Sequence, residues 1–303
     1  MRMHETAEFY STFIFQKYRT ICEKYDMLVP EQRKKKPKRG SRMTEIEQLT
    51  QAAKRGDPGA QGSLGWKYHK GLGVKQDDAE AARWFGKAAD QGNAVAMNNL
   101  AWLYQYGCGV PQDYATAFRL FRESAGLGCA SAQHSLGFFY EKGYGTEKDP
   151  KESVRWYRKS AEQGNTNGEY RLGWCYQYGF GVEKDYAEAG VWYKKAAAKH
   201  HTGAAANLAY LHYWGYGVEE DDEAAFRLWK EAAEDGIVEA MENLAFCYES
   251  GTGVETDKET AEEWYRKASE GRRRRAKADP NKTEAQLAME ETNASLRRLL
   301  RSL

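Results

Sequence analysis

Six Gly-x-Gly pairs recur along the chain, at Gly71/Gly73, Gly107/Gly109, Gly143/Gly145, Gly179/Gly181, Gly215/Gly217 and Gly251/Gly253. Each first glycine lies 36 residues after the one before it. A fixed period of this length marks an array of like units, each burying its apolar face against its neighbours. It overrides the two globular domains that 303 residues would otherwise suggest.

The second unit shows the layout. Residues 96–104 form an apolar-periodic helix, A, that ends at Gly107-Cys108-Gly109-Val110, where glycine permits the positive φ of a helix C-cap and turn. Asp113 follows, placed to cap helix B, which runs from Ala115 to Ala125 with Ala117, Leu120, Phe121 and Ala125 inward and Gly128 after it. The same grammar recurs in rows. Leu64, Leu100, Leu136, Leu172, Leu208 and Leu244 are each followed by Gly or Ala, small enough for close helix approach. Tyr68, Tyr104, Tyr140, Tyr176 and Tyr248 form a second row, broken by His212. Asp77, Asp113, Asp149, Asp185, Asp221 and Asp257 form the cap row. Helix B carries aromatic pairs such as Trp84-Phe85, Trp156-Tyr157, Trp192-Tyr193 and Trp264-Tyr265.

This grammar, A-x-x-x-L-G-x-x-Y-x-x-G-x-G-V, then D, then W-Y-x-x-A-A, resembles the Sel-1-like repeat of the tetratricopeptide-like α-solenoids. The resemblance covers residues 44–271. It implies an all-α, right-handed superhelical solenoid of six 36-residue helix-turn-helix repeats with capping helices, and a role as scaffold or adaptor for other proteins. Two departures stand out: His200 replaces the glycine that closes unit four, and Gly168 replaces the alanine that opens its helix A. The secreted branch of the family carries a cysteine pair in each repeat, which this chain does not.

The organisation read from this is residues 1–43 as an N-terminal helix plus basic linker, 44–271 as a half repeat and six full units, and 272–303 as a basic hinge and amphipathic capping helix. Residues 44–56 align by 36 with the second half of a unit, Leu49 on Phe85 and Ala52-Ala53 on Ala88-Ala89. In the N-terminal segment Tyr10, Ile14, Tyr18, Ile21 and Tyr25 share one helical stripe, fit to dock on the array or on a partner. A seventh unit would place its leucine at 280, where Pro280 breaks helix A. Beyond it, Ala285, Met289, Thr292, Leu296, Leu299 and Leu303 share a stripe suited to capping the last unit or to a short coiled-coil contact.

Charge is asymmetric beneath a net +1: residues 1–43 hold 11 Lys/Arg against 5 Asp/Glu, residues 271–303 hold 9 against 4, and the remainder 25 against 35. An acidic array with basic arms favours basic partners or its own arms. The run Lys34, Lys35, Lys36, Lys38 and Arg39 is compatible with nuclear import or with nucleic acid or anionic membrane. No apolar stretch suits a signal peptide or membrane span, and five cysteines, an odd number, suit reduced thiols. Cytoplasmic residence is expected, with nuclear entry left open by the basic run.

Neither catalysis, cofactor nor metal is expected. The Gly-x-Gly turns continue into no P-loop or dinucleotide pattern, and His200-His201 have no ligand partner at coordinating spacing. Function is instead sought on helix A, where residues at i, i+3 and i+7 share a face. Those triads are Asn99/Trp102/Tyr106, Ser135/Phe138/Lys142, Arg171/Trp174/Tyr178, Asn207/Tyr210/Trp214 and Asn243/Phe246/Ser250. The invariably aromatic middle member is expected in the core. The variable outer members Asn99, Tyr106, Lys142, Arg171, Tyr178, Asn207, Trp214 and Asn243 become the candidate floor of a groove that holds a basic or extended segment of another protein. The chain would act as a monomer, without enzymatic activity. The other reading is a regulator directed to the nucleus or an anionic surface by its basic arms, with the array accessory.

Overall fold

A computed structural model of the chain describes residues 43–277, and the N-terminal helix, the basic linker and the C-terminal amphipathic helix expected in residues 1–42 and 278–303 lie outside them. The described residues form thirteen helices and no strand. They fall into two units, one of residues 42–235 and one that begins at Gly236. The first holds α1 (Glu45–Lys54), α2 (Pro58–Lys70), α3 (Asp78–Ala89), α4 (Ala94–Tyr106), α5 (Tyr114–Gly126), α6 (Ala130–Lys142), α7 (Pro150–Glu162), α8 (Thr166–Tyr178), α9 (Tyr186–Ala197), α10 (Thr202–Trp214) and α11 (Asp222–Glu234). The second holds α12 (Val238–Ser250) and α13 (Lys258–Lys277). After the half repeat α1, even-numbered helices are the A helices and odd-numbered ones the B helices.

Local chemistry sets the boundaries. Every A helix ends on its first glycine in the left-handed region, φ 61–81°. The cap-row aspartates then act twice. Asp149 donates its backbone N–H to the Tyr140 carbonyl at 3.0 Å, fastening the turn to helix A. Its carboxylate accepts the N–H groups of Lys151 and Glu152 at 3.0 Å, opening helix B. Asp77, Asp113, Asp185, Asp221 and Asp257 repeat both contacts. His212 can replace tyrosine in its row because the turn bond uses its backbone carbonyl, which Asp221 N–H reaches at 3.1 Å. At the start of the array Thr44 and Glu47 form a reciprocal capping box on α1, and its Ile46, Leu49 and Ala53 pack with Leu64 and Trp84.

The core lies between A and B helices. Leu136, Phe139, Phe121 and Tyr157 are fully buried, and Gly137 is needed where a Cβ would run into the Tyr157 ring. The helix B tryptophans are each covered by a lysine three positions on: Lys195 lies 3.9 Å from the ring centre of Trp192, and Trp84 with Lys87, Trp156 with Lys159 and Trp264 with Lys267 repeat the contact.

One boundary differs from expectation. Arg272–Arg275 do not form a hinge: α13 continues through them. Arg272 pairs with Glu242 and Arg275 with Glu239, so two arginines one turn apart grip two glutamates one turn apart on α12.

Candidate functional site

The aromatic middle members of the helix A triads are not core. Trp102, Phe138, Trp174 and Tyr210 are only partly buried, each lying against the core with an edge left to solvent. Trp66 continues the row in the first repeat and is 45% exposed. The physical reason is rotation: Leu103 and Phe139 already fill the face toward helix B, so the aromatic one position earlier, turned about 100° round the helix, points along the A-helix surface. In the second unit Phe246 is likewise partly buried.

Each aromatic meets the residue four positions on. Trp102 and Tyr106 have ring centres 4.1 Å apart, Trp174 and Tyr178 5.2 Å, and Tyr210 and Trp214 6.4 Å. Lys142 lies 5.9 Å from the Phe138 ring and Lys70 4.8 Å from Trp66. Tyr178 is 42% exposed and Trp214 50%. Trp214 also lies parallel to Tyr216, which stacks on Tyr186 at 4.9 Å, so the turn after α10 extends the aromatic surface.

The asparagines are less free than their spacing implies. Asn207 is partly buried and donates to the Tyr193 hydroxyl at 3.0 Å, which itself donates to Gln177 at 2.5 Å. Asn99 accepts from Asn98 at 3.3 Å. Asn243 is partly buried in the second unit. Lys34, Lys35, Lys36, Lys38 and Arg39 lie outside the described residues.

Lys142 and Arg171 converge with Glu141 and His134. Glu141 is buried, and its Oε2 accepts from the Tyr157 hydroxyl at 2.7 Å. Lys142 Nζ lies 3.2 Å from Glu141 Oε1, and Arg171 Nη1 lies 3.8 Å from Oε2. His134 sits over Tyr157 at 5.7 Å between ring centres; burial, then Arg171 and His201, hold its pKa down to about 3, so it is neutral. His201 stacks on Tyr170 at 4.4 Å and accepts the Ala204 N–H through Nδ1, capping α10. Burial lowers its pKa as well. The signal for Glu141 was a 16-residue pairing. Tyr193 meets Gln177 and Tyr265 meets Glu249 in the same way.

Among the described residues, no group of three His, Cys, Asp or Glu is placed to hold a metal, and no helix is long and apolar enough to cross a membrane. Cys129 and Cys175 are free thiols.

The Sel1 repeat profile matches residues 58–93, 94–129, 130–165, 166–201, 202–237 and 238–271, each segment beginning where a helix A begins. The chain is a Sel1 repeat protein. Its fold is the all-α solenoid of that family, with six repeats. A similar solved structure is c5321, a protective antigen of uropathogenic Escherichia coli strains with an SLR fold, at 33% identity and TM-score 0.70. The match covers 84% of this chain and 57% of c5321, so the chain spans little more than half the length of that relative. A Sel1 repeat protein from Oxalobacter formigenes is similar at 32% identity and TM-score 0.66, over 74% of this chain and 99% of that one. No curated protein matches. Sel1 repeat proteins generally mediate protein–protein interactions on a non-catalytic scaffold fold.

Proposed function

We propose that this Sel1 repeat protein is a non-enzymatic adaptor that holds an extended segment of another protein in a groove floored by its A helices. The observation that carries this reading is the outward aromatic row Trp66, Trp102, Phe138, Trp174 and Tyr210, with exposed Tyr178 and Trp214 beside it. Isolated exposed aromatics are ordinary, but a row repeating at each A helix offers regularly spaced apolar anchors along one face. Rigid aromatic rings are favoured interface anchors because they bury large area with few rotatable bonds. Lys142, Arg171 and Asn99 supply hydrogen-bonding groups between the rungs. A monomeric array in the cytoplasm would serve this role without any cofactor.

The test is affinity capture with mass spectrometry, wild type against Tyr178→Ala/Trp214→Ala. Both rings are substantially exposed, so their loss should remove captured proteins while thermal unfolding stays near that of wild type. Capture unchanged by the double substitution would end the groove reading. Asn207 is a poorer probe, since its amide holds the buried Tyr193 hydroxyl.

A further inference from the structure

Between α6 and α8, two cations share one carboxylate. Lys142 and Arg171 both approach Glu141, and both lie within 6 Å of the Phe138 ring centre, at 5.9 and 5.8 Å. Their side chains are only 19% and 13% exposed. Glu141 engages them unequally. Its Oε2 is engaged by the Tyr157 hydroxyl, and Arg171 stands off at 3.8 Å, beyond hydrogen-bonding range. Among the described residues, none accepts a hydrogen bond from the Arg171 guanidinium, which carries five N–H donors. A cation mostly withdrawn from water and only loosely paired gains by direct hydrogen bonding to an incoming anion.

We propose that Arg171 and Lys142 form a subsite for the carboxylate side chain of an Asp or Glu on an extended peptide lying across the A helices. This rests on the groove reading and sharpens it. The guanidinium fork matches the two carboxylate oxygens, and the lysine adds a second charge. Phe138 between them keeps water away, which strengthens the contact. The site lies mid-row, with Trp102 and Tyr106 on one side and Trp174, Tyr178 and Tyr210 on the other. The bound chain therefore continues in both directions, so the anion is a side chain and not a C-terminus. It reverses, at this position, the preference for basic segments that the acidic net charge of the array suggests. The nearby His134 is neutral and adds no competing charge.

The experiment selects binders from a synthetic peptide library, acetylated and amidated at its ends, then measures each selected peptide against its twin with Asn for Asp or Gln for Glu. Wild type should prefer the carboxylate by about tenfold to a hundredfold, the range for hydrogen bonds to charged groups. Arg171→Gln and Lys142→Gln should each erase most of that preference. Glu141→Gln should do the opposite and tighten acidic peptides several-fold, because its amide oxygen still accepts the Tyr157 hydroxyl while one negative charge is gone. A purely structural Arg171 would not give opposite signs. Should Arg171→Gln unfold, Arg171→Gln/Glu141→Gln leaves Lys142 as the one charge of the subsite and must show a weaker carboxylate preference than Glu141→Gln alone. Equal affinity of wild type for both twins overturns the subsite. If Tyr178→Ala/Trp214→Ala still weakens both twins, the groove survives that result; if it weakens neither, the groove reading falls as well. Selection of peptides that need a free C-terminus would also overturn the side-chain assignment.

Discussion

The Tyr157 hydroxyl donates to Glu141 Oε2 at 2.7 Å inside the array, joining α7 to α6 through a buried phenol and a buried carboxylate. Burial and the neighbouring Glu141 hold that phenol protonated far above any ordinary pH. Removing the hydroxyl with Tyr157→Phe leaves Glu141 short of a donor, and unfolding free energy should fall by about 1.5–3 kcal/mol, the range for a hydrogen bond to a charged group. Chemical denaturation of the two proteins measures it. Phe85 and Phe121 occupy the equivalent place in the first two repeats without an acid opposite, so the ring itself fits. A change under about 0.5 kcal/mol would mean the bond is replaced by water.

His200 is the sole non-glycine residue with positive φ among the described residues, at 60°, where five other helix B ends use glycine. A side chain in the left-handed region is disfavoured by about 1–2 kcal/mol. His200→Gly should therefore raise stability by about 1 kcal/mol and the thermal midpoint by about 2–4 °C. The side chain is almost fully exposed, and its contact with Glu231 is a long 3.7 Å, so little is lost in exchange. A lower midpoint would show that His200 has a role its backbone strain serves.

Acid should weaken the array from about neutrality downward. The folded pKa of His134 is held at about 3 by burial, with Arg171 and His201 facing it and the Tyr157 ring beneath, while the unfolded chain takes a proton near 6.5. The unfolded state thus binds more protons between those values, and stability is lost as pH falls through that window. By pH 5.5 the loss from His134 is about 1.4 kcal/mol. His201, also depressed, acts in the same direction. Denaturant midpoints at pH 7 and 5.5 check this, and His134→Asn should flatten the slope.

Periodicity made the units legible because every one repeats the same cap, leucine and turn at a fixed distance. Asp113 or Gly107 needs only its own neighbours along the chain to act, so a linear reading finds it. Glu141 escaped because its meaning depends on Tyr157 across a helix pair, although the 16-residue pairing is visible once Gln177/Tyr193 and Glu249/Tyr265 are compared. Trp102, Phe138, Trp174 and Tyr210 were misplaced for a related reason. Aromatic identity suggests burial, but the helix has one face toward its partner, and Leu103 and Phe139 already occupy it. Asn207 looked free on a surface row because its bond to Tyr193 comes from another helix.

The second glycine of four of the six pairs has a task beyond the turn. A Cβ on Gly145 would run into the backbone carbonyl of Tyr114, at the start of helix B in the preceding repeat, and Gly109, Gly181 and Gly217 meet Asp78, Pro150 and Ala187 alike. Gly73 has the same backbone, φ 74°, but nothing within 4 Å of where its Cβ would lie. The pair separates two effects in one fold. Gly73→Ala should lose only about 1–2 kcal/mol for the left-handed conformation. Gly145→Ala should lose that and about 1–3 kcal/mol more, because backbone must move to admit the methyl group. Hydrogen exchange should then show α5 and α6 opening together more readily in Gly145→Ala, since that clash falls where two repeats meet. Equal losses at the two positions would mean that the glycines serve the turn alone and that neighbouring repeats approach with room to spare.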